Sequence, residues 1–145
     1  PMIFDPVDDA FSLAELPIVA GRLAEIWVKE TVERPLVVGL SGGMGAGKTT
    51  LVRGIVAHLQ SLPEVTSPTF DLIHVHEGPR CTVVHIDLYR LSRDEVGALD
   101  LDYYLQTPGV LMIIEWPERA TDIVLDIIVT LTRLENENRQ VRINV

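Results

Sequence analysis

The sequence predicts an α/β fold in which a mixed, partly antiparallel central sheet lies between layers of helices. First, the apolar run of residues 36–41 precedes a glycine cluster and then apolar residues at helical spacing, which is typical of strand, tight loop and helix. Second, residues 109–114 form a continuous apolar run, as expected of a central strand covered on both faces. Third, paired apolar segments separated by short polar stretches indicate antiparallel hairpins.

The first predicted element is a helix from Pro17 to about Lys29. Ser12 to Glu15 matches a capping box, but proline is tolerated best at the first helical position, which favours the later start. The apolar stripe of this helix consists of Leu23, Ala24, Trp27 and Val28. After the strand at 36–41, the next helix carries Leu51, Val52, Ile55, Val56 and Leu59.

Residues 65–69 are expected to form an irregular loop, because Pro68 pushes Ser67 out of helical backbone angles. The remaining predicted elements are an antiparallel hairpin over 70–76 and 81–87, a short helix that begins at the capping box Ser92–Glu95, the central strand at 109–114, and a terminal hairpin around 135–140.

The length and composition predict one compact domain over residues 1–145, since 47% of the residues are apolar. The net charge of −9, with only 12 lysines and arginines, disfavours tight direct binding to a nucleic-acid backbone. The single cysteine, Cys81, has no partner for an internal disulfide or a zinc knuckle, which fits a reducing compartment. No apolar stretch reaches the roughly 18 residues of a membrane span. We therefore expect a cytoplasmic protein that does not enter a membrane.

The glycine cluster satisfies the P-loop pattern, in which a glycine and four further residues precede glycine, lysine and serine or threonine. Glycines permit close backbone approach, so that successive N–H groups surround phosphate oxygens at the start of a helix. Lys48 would then neutralise the β and γ phosphates of a nucleoside triphosphate, and the Thr49 hydroxyl would ligate Mg²⁺. The predicted nucleotide-binding residues here are Gly43, Met44, Gly45, Ala46, Gly47, Lys48, Thr49 and Thr50.

A glycine turn that carries a lysine by chance is the alternative interpretation. The chain has only two lysines, Lys29 and Lys48, and one of them occupies the position that the pattern requires. With the flanking strand and helix, the pattern favours a three-layer P-loop NTPase fold.

Two carboxylates close predicted strands, Asp87 after residues 83–86 and Glu115 after residues 111–114. A parallel sheet would bring both to the edge where a P-loop holds its triphosphate. One should hold Mg²⁺ with Thr49, and the other should orient or deprotonate the attacking water. The sequence leaves the roles open, and an acid can also simply mark where a strand leaves the core. Asp87, Glu115 and Lys48 are the predicted catalytic residues.

Several other side chains have two plausible interpretations. His74 and His76 would share one face of a strand, where a metal pair is possible but a solvent-facing strand is favoured. Tyr89-Arg90 suits contact with the nucleotide or a partner, or the anchoring of a loop. Trp116 suits packing in the core or at an interface.

Four motifs in order resemble the TsaE family, also called YjeE, the small bacterial P-loop ATPases of tRNA threonylcarbamoyladenosine synthesis. The motifs are Gly42 to Thr50, Ser67-Pro68-Thr69-Phe70, His85 to Leu91, and Ile114-Glu115-Trp116-Pro117. The resemblance implies that Thr69 is a switch-like threonine near the nucleotide, and that Asp87 and Glu115 serve the metal and hydrolysis. It also implies two partners, the paralogous subunits of the threonylcarbamoyl transferase complex, with tRNA contacted only indirectly.

One position departs from the family pattern, which usually has aspartate where this chain has Gly43 and often leucine at Met44. The missing acid affects loop rigidity or nucleotide affinity, but the lysine and threonine are intact, so we expect binding to persist.

Two other functions share the P-loop. A small-molecule kinase needs an acceptor pocket and usually a lid that bears arginine, and the sequence has no long insertion between its late strands. A GTPase reads guanine with a late loop that includes a lysine, and none follows Lys48.

Overall fold

A computed structural model describes residues 10–59, 65–67, 70–120 and 122–144. The α-helices are α1 Leu16–Glu30, α2 Lys48–His58, α3 Arg93–Gly97 and α4 Asp102–Leu105. The strands are β1 Leu36–Ser41, β2 Val65–Ser67, β3 Phe70–Glu77, β4 Thr82–Asp87, β5 Val110–Glu115, β6 Ile127–Arg133 and β7 Arg139–Asn144. Short 3₁₀ turns lie at Leu13–Glu15, Pro117–Arg119 and Glu135–Glu137.

The strands form one seven-stranded sheet in the order β2-β3-β4-β5-β1-β6-β7. The central strands β4, β5, β1 and β6 are parallel, whereas β2, β3 and β7 add antiparallel edges. The predicted mixed, partly antiparallel sheet is thus confirmed. Because β1, β4 and β5 run the same way, their carboxyl ends meet at one edge of the sheet, where ligands bind in open α/β folds.

Apolar cores cover both faces of the sheet. On one face, α1 and α2 pack against the sheet and bury side chains such as Trp27, Leu23 and Ile55. On the other face, the segment after β4 contributes Leu88, Leu91 and Leu101 to a second core. The layers of this sandwich match the predicted three-layer arrangement. Cys81 is buried as expected, and burial raises the pKa of its thiol.

The predicted start of the first helix is correct to within one residue, since α1 begins at Leu16 with Pro17 in its first turn. The capping box that precedes it also forms: the Ser12 N–H donates to the Glu15 carboxylate over 3.0 Å and caps the 3₁₀ turn Leu13–Glu15. This turn leads directly into α1. The capping box therefore starts the 3₁₀ turn, and Pro17 lies at the start of the α-helix that follows it. The predicted strand at 36–41, the helix after it, the central strand, both hairpins and the Ser92 capping box are also confirmed.

The prediction of an irregular loop over 65–69 is wrong for its first three residues, which form β2 and pair antiparallel with β3. Val65 and Thr66 are β-branched, and the extended backbone that Pro68 imposes on Ser67 suits a strand as well as a loop. A register shift between Thr66 and Ser67 makes the pairing irregular. Helix α4 was not predicted. In the described part of the chain, no helix has both the length and the apolar character that a membrane crossing requires.

Candidate functional site

The glycine loop between β1 and α2 has a backbone that only glycine adopts without strain. Gly42, Gly45 and Gly47 have φ angles of 148°, 77° and 105°. A Cβ atom on Gly42 would lie 2.4 Å from the carbonyl oxygen of Leu131 on β6, so no side chain fits there. Gly47 is the residue before α2 and accepts from the Leu51 N–H over 2.9 Å, which starts the helix. The loop therefore points the amino end of α2 at the carboxyl edge of the sheet.

Arg139 on β7 supports this loop through its guanidinium group. Its side chain is buried, and its Nε donates to the Ala46 carbonyl over 2.9 Å. Since the carbonyl and the following N–H of a trans peptide point in opposite directions, the Gly47 N–H points away from the guanidinium. This role of Arg139 was not predicted from the sequence, although the period of two along β7 places the residue on the same face as the buried Val141.

Lys48 is also buried, with 6% of its surface exposed. Its Nζ donates to the Gly42 carbonyl over 2.5 Å and lies 3.9 Å from the centre of the Trp116 ring. The Tyr89 ring also packs against the Trp116 ring, with ring centres 4.9 Å apart. Trp116 thus packs against the second core, as expected, and in addition contacts the P-loop lysine through a cation–π interaction.

The structure brings Asp87 and Glu115 together at the carboxyl edge, where their Cα atoms are paired neighbours on β4 and β5. Glu115 is 2% exposed, and both of its carboxylate oxygens lie 3.5 Å from the Thr49 hydroxyl. Asp87 is half-buried and accepts from the Tyr89 N–H over 3.0 Å. Glu115 is therefore the acid beside the P-loop threonine, while Asp87 flanks it.

His85 contacts the same acid: its Nε2 lies 2.5 Å from Oε2 of Glu115. A role for this histidine was not predicted from the sequence, although it precedes Asp87 by two residues and so lies on the same face of β4. His74 and His76 are half-buried beside it and both line one cavity, so they share one face of β3 as predicted and are only partly exposed.

Two adjacent cavities meet at these acids. The first, of about 460 Å³, is lined by residues 43–50 and by Leu13, Asp87, Tyr89, Arg90, Glu115, Trp116 and Arg139. The second, of about 430 Å³, is lined by Thr49, Val52, Arg53, Val56, Ala57, His74, His76, His85, Asp87 and Glu115. All the predicted nucleotide and metal residues line the first cavity except Thr69, which lies outside the described residues.

The donor set of the site suits a hard divalent cation. Thr49, Asp87 and Glu115 offer a hydroxyl and carboxylates, the oxygen ligands that Mg²⁺ takes together with nucleotide phosphates and waters. Over the described ranges, no group of three or more His, Cys, Asp or Glu side chains is arranged to hold a metal alone. The residues therefore fit a cation that arrives with a phosphate ligand.

Comparisons with known proteins agree with this geometry. The profile of the family described as threonylcarbamoyl adenosine biosynthesis protein TsaE matches residues 12–142. The chain is similar to the tRNA threonylcarbamoyladenosine biosynthesis protein TsaE of Haemophilus influenzae (33% identity, 86% of this chain, 78% of that protein) and of Aquifex aeolicus (32%, 98%, 93%). It is 42% identical to that of Nostoc sp., where the match spans 65% of this chain and 60% of the relative.

Among solved structures, the chain superposes on Bacillus subtilis YdiB with a TM-score of 0.62. The match covers 86% of this chain and 77% of YdiB at 24% sequence identity. At that identity the likeness establishes a shared fold, and the predicted P-loop NTPase fold is confirmed.

Proposed function

Since this chain belongs to the TsaE family, whose role lies in tRNA threonylcarbamoyladenosine biosynthesis, we propose that it is a cytoplasmic, Mg²⁺-dependent ATPase of that pathway. The observation that carries the proposal is the placement of Thr49 between the glycine loop and the buried Glu115, 3.5 Å from both carboxylate oxygens. A P-loop threonine beside a strand-end carboxylate is the arrangement that P-loop NTPases use for Mg²⁺.

The phosphates of ATP bind in the first cavity, against the backbone N–H groups of residues 43–49 and the amino end of α2. Lys48 exchanges its bond to the Gly42 carbonyl for the β and γ phosphates, and the Trp116 ring keeps the ammonium in the cavity. Because Lys48 is already buried and held, little side-chain entropy is lost when the nucleotide binds.

The geometry supports a division of roles between the two acids. Thr49 and Glu115 would hold Mg²⁺, which would supply neutralisation of phosphate charge when bound. Asp87 retains one carboxylate oxygen beyond the one that accepts from Tyr89, and it orients the attacking water and takes its proton. The water oxygen forms a bond to the γ phosphorus as the bond to the β-phosphate oxygen breaks, which yields ADP and phosphate.

Hydrolysis serves as a switch on two partners, the paralogous subunits of the threonylcarbamoyl transferase complex. The net charge of −9 supports a role in which those partners, rather than this chain, hold the tRNA. Thr69 is the proposed sensor of the nucleotide, on the basis of its place in the Ser67-Pro68-Thr69-Phe70 motif.

A small-molecule kinase is the second candidate, favoured by one observation. The second cavity adjoins Asp87 and Glu115 and has the size of a small acceptor site. Membership of the TsaE family favours the ATPase.

Phosphate release and transfer distinguish these functions. The protein is incubated with ATP, with GTP, and with ATP plus a panel of metabolites, with and without the two partner subunits. The ATPase proposal expects slow release of phosphate from ATP that changes sharply when both partners are added. Phosphate transfer to a metabolite would support the kinase, and hydrolysis confined to GTP would overturn both.

A further inference from the structure

We infer that His85 is a positioning residue that holds the Glu115 carboxylate in place for Mg²⁺. The inference rests on the proposed function and extends it to a residue that does not contact the nucleotide cavity. Histidine is here the partner of a metal ligand rather than a ligand itself.

The first support is the geometry of the pair. The Nε2 of His85 lies 2.5 Å from Oε2 of Glu115, and the two side chains are 12% and 3% exposed. Because a carboxylate accepts hydrogen bonds, the imidazole must carry a proton on Nε2. A short hydrogen bond to a charged acceptor in a water-poor site restricts rotation of the carboxylate.

The second support is how few donors the carboxylate has. Within the described ranges, its recorded side-chain donors are His85 and the Thr49 hydroxyl, and the hydroxyl lies at the 3.5 Å limit from both oxygens. His85 occupies Oε2, so Oε1 has only the distant Thr49 hydroxyl as a recorded side-chain donor among the described residues and is the oxygen left for the cation. Without His85, no other described side chain determines which carboxylate oxygen of Glu115 faces the cation.

The third support is that β4 itself holds the histidine. His85 and His74 are paired across β3 and β4, and their rings lie 5.8 Å apart, so the imidazole is confined between His74 and Glu115. The strand pairing of β4 with β5 then fixes His85 diagonally from Glu115. The orientation is therefore built into the sheet before any ligand binds.

Hydrogen-bonding partners of metal ligands have a characteristic effect: their loss costs about 10–100-fold in metal affinity. For this chain, the loss should appear in Mg²⁺ affinity and should leave metal-free nucleotide affinity unchanged, because Lys48 and the glycine loop do not depend on His85. A histidine that only stabilises the fold would not separate the two quantities.

The test compares His85→Leu, which has no donor, with His85→Gln, which retains an N–H. The control is His58→Leu, since His58 also lies 2.6 Å from a glutamate, Glu25, but on the outer surface of the helical layer. Mn²⁺ binding to each protein with a non-hydrolysable ATP analogue is measured by electron paramagnetic resonance, and analogue affinity in EDTA is measured by calorimetry.

His85→Leu is expected to weaken Mn²⁺ binding about 10–100-fold, with metal-free nucleotide affinity within about twofold, while His85→Gln recovers most of the loss. Wild-type Mn²⁺ affinity in His85→Leu, or equal losses in His58→Leu, would overturn the inference. If His85→Leu does not fold, His85→Ala replaces it with the same expectation. If the wild-type protein binds neither ATP analogue nor Mn²⁺, the proposed function itself fails, which is a distinct result.

Discussion

Within the described ranges, two histidine–glutamate pairs of nearly equal length, His85–Glu115 and His58–Glu25, lie in very different surroundings. At the carboxyl edge of the sheet, His85 and Glu115 are 2.5 Å apart and almost wholly buried. On the helical face, His58 and Glu25 are 2.6 Å apart and about two-fifths exposed, with Arg80 donating to the same carboxylate. Distance alone therefore does not tell what such a pair does.

The two pairs differ in the other groups that each carboxylate contacts. Glu115 reaches the Thr49 hydroxyl and two cavities, so its pair is placed to present an oxygen to a ligand. Glu25 on α1 joins His58 at the end of α2 to Arg80 in the turn before β4, so its pair links three surface elements. Glu25 and His58 also line a cavity, so burial beside the P-loop threonine, rather than a neighbouring cavity, distinguishes the pair that we propose to act on the metal. The exposed pair is expected to contribute to stability.

The largest expected effect comes from changing the two glutamates in the same way. Glu115→Gln removes the charge that holds Mg²⁺ and is expected to lower kcat about 1,000-fold, since metal stabilisation of the transition state is worth several kcal/mol. Glu25→Gln should leave kcat unchanged. Steady-state ATP hydrolysis with saturating Mg²⁺ measures both, and similar losses in the two variants would contradict the assignment of separate roles.

The two lysines provide the next comparison, because they are the only lysines in the chain. Lys48→Ala should weaken ATP binding about 100-fold, since a hydrogen bond to a charged group contributes about 1.5–3 kcal/mol. Lys29→Ala, at the exposed end of α1, should bind ATP as the wild type does. Calorimetric titration with ATP measures the affinity of both variants, and unchanged affinity in Lys48→Ala would exclude the P-loop as the phosphate site.

The sequence predicted the parts of the carboxyl edge that a single segment encodes. The spacing from Gly42 to Thr49 defines the loop, and the apolar runs before Asp87 and Glu115 place each acid at a strand end. His85 and Arg139 act through neighbours on other strands, and strand order and register, which one sequence does not reveal, decide those contacts. For the same reason the strand β2 was not predicted from the sequence, since its strand character depends on pairing with β3.

A smaller effect, on the stability of the fold, is expected when the pH is lowered through the titration of Glu25 in the exposed pair. The hydrogen bonds from Arg80, and then from His58, lower the pKa of Glu25 from 4.5 to about 2. The unfolded chain takes up this proton near its ordinary pKa, whereas the folded protein does so only near pH 2. The stabilising contribution is therefore complete above about pH 4.5 and is lost as the pH falls toward 2.

Chemical denaturation between pH 2.5 and 6 checks this contribution. Glu25→Gln should flatten the acid side of the stability profile, and added salt should do the same to the wild type, because the pair is exposed. Parallel profiles for the variant and the wild type would show that the cluster adds nothing to stability.

The smallest expected effect concerns the one position of the glycine loop that departs from the family pattern. No heavy atom lies within 4 Å of where a Cβ on Gly43 would be, and its φ is outside the left-handed range of the neighbouring glycines. Gly43→Asp should therefore fit without strain, and restricting the unfolded chain should stabilise the fold by at most about 1 kcal/mol. Gly43 lines the first cavity but is exposed, so solvent screens the added charge from the phosphates, and ATP affinity should change by less than about tenfold, or about 1.4 kcal/mol. Thermal unfolding and calorimetry measure the two quantities. A loss of stability instead of this small gain would mean that the loop needs glycine at 43 for its conformation, as it does at 42 and 47.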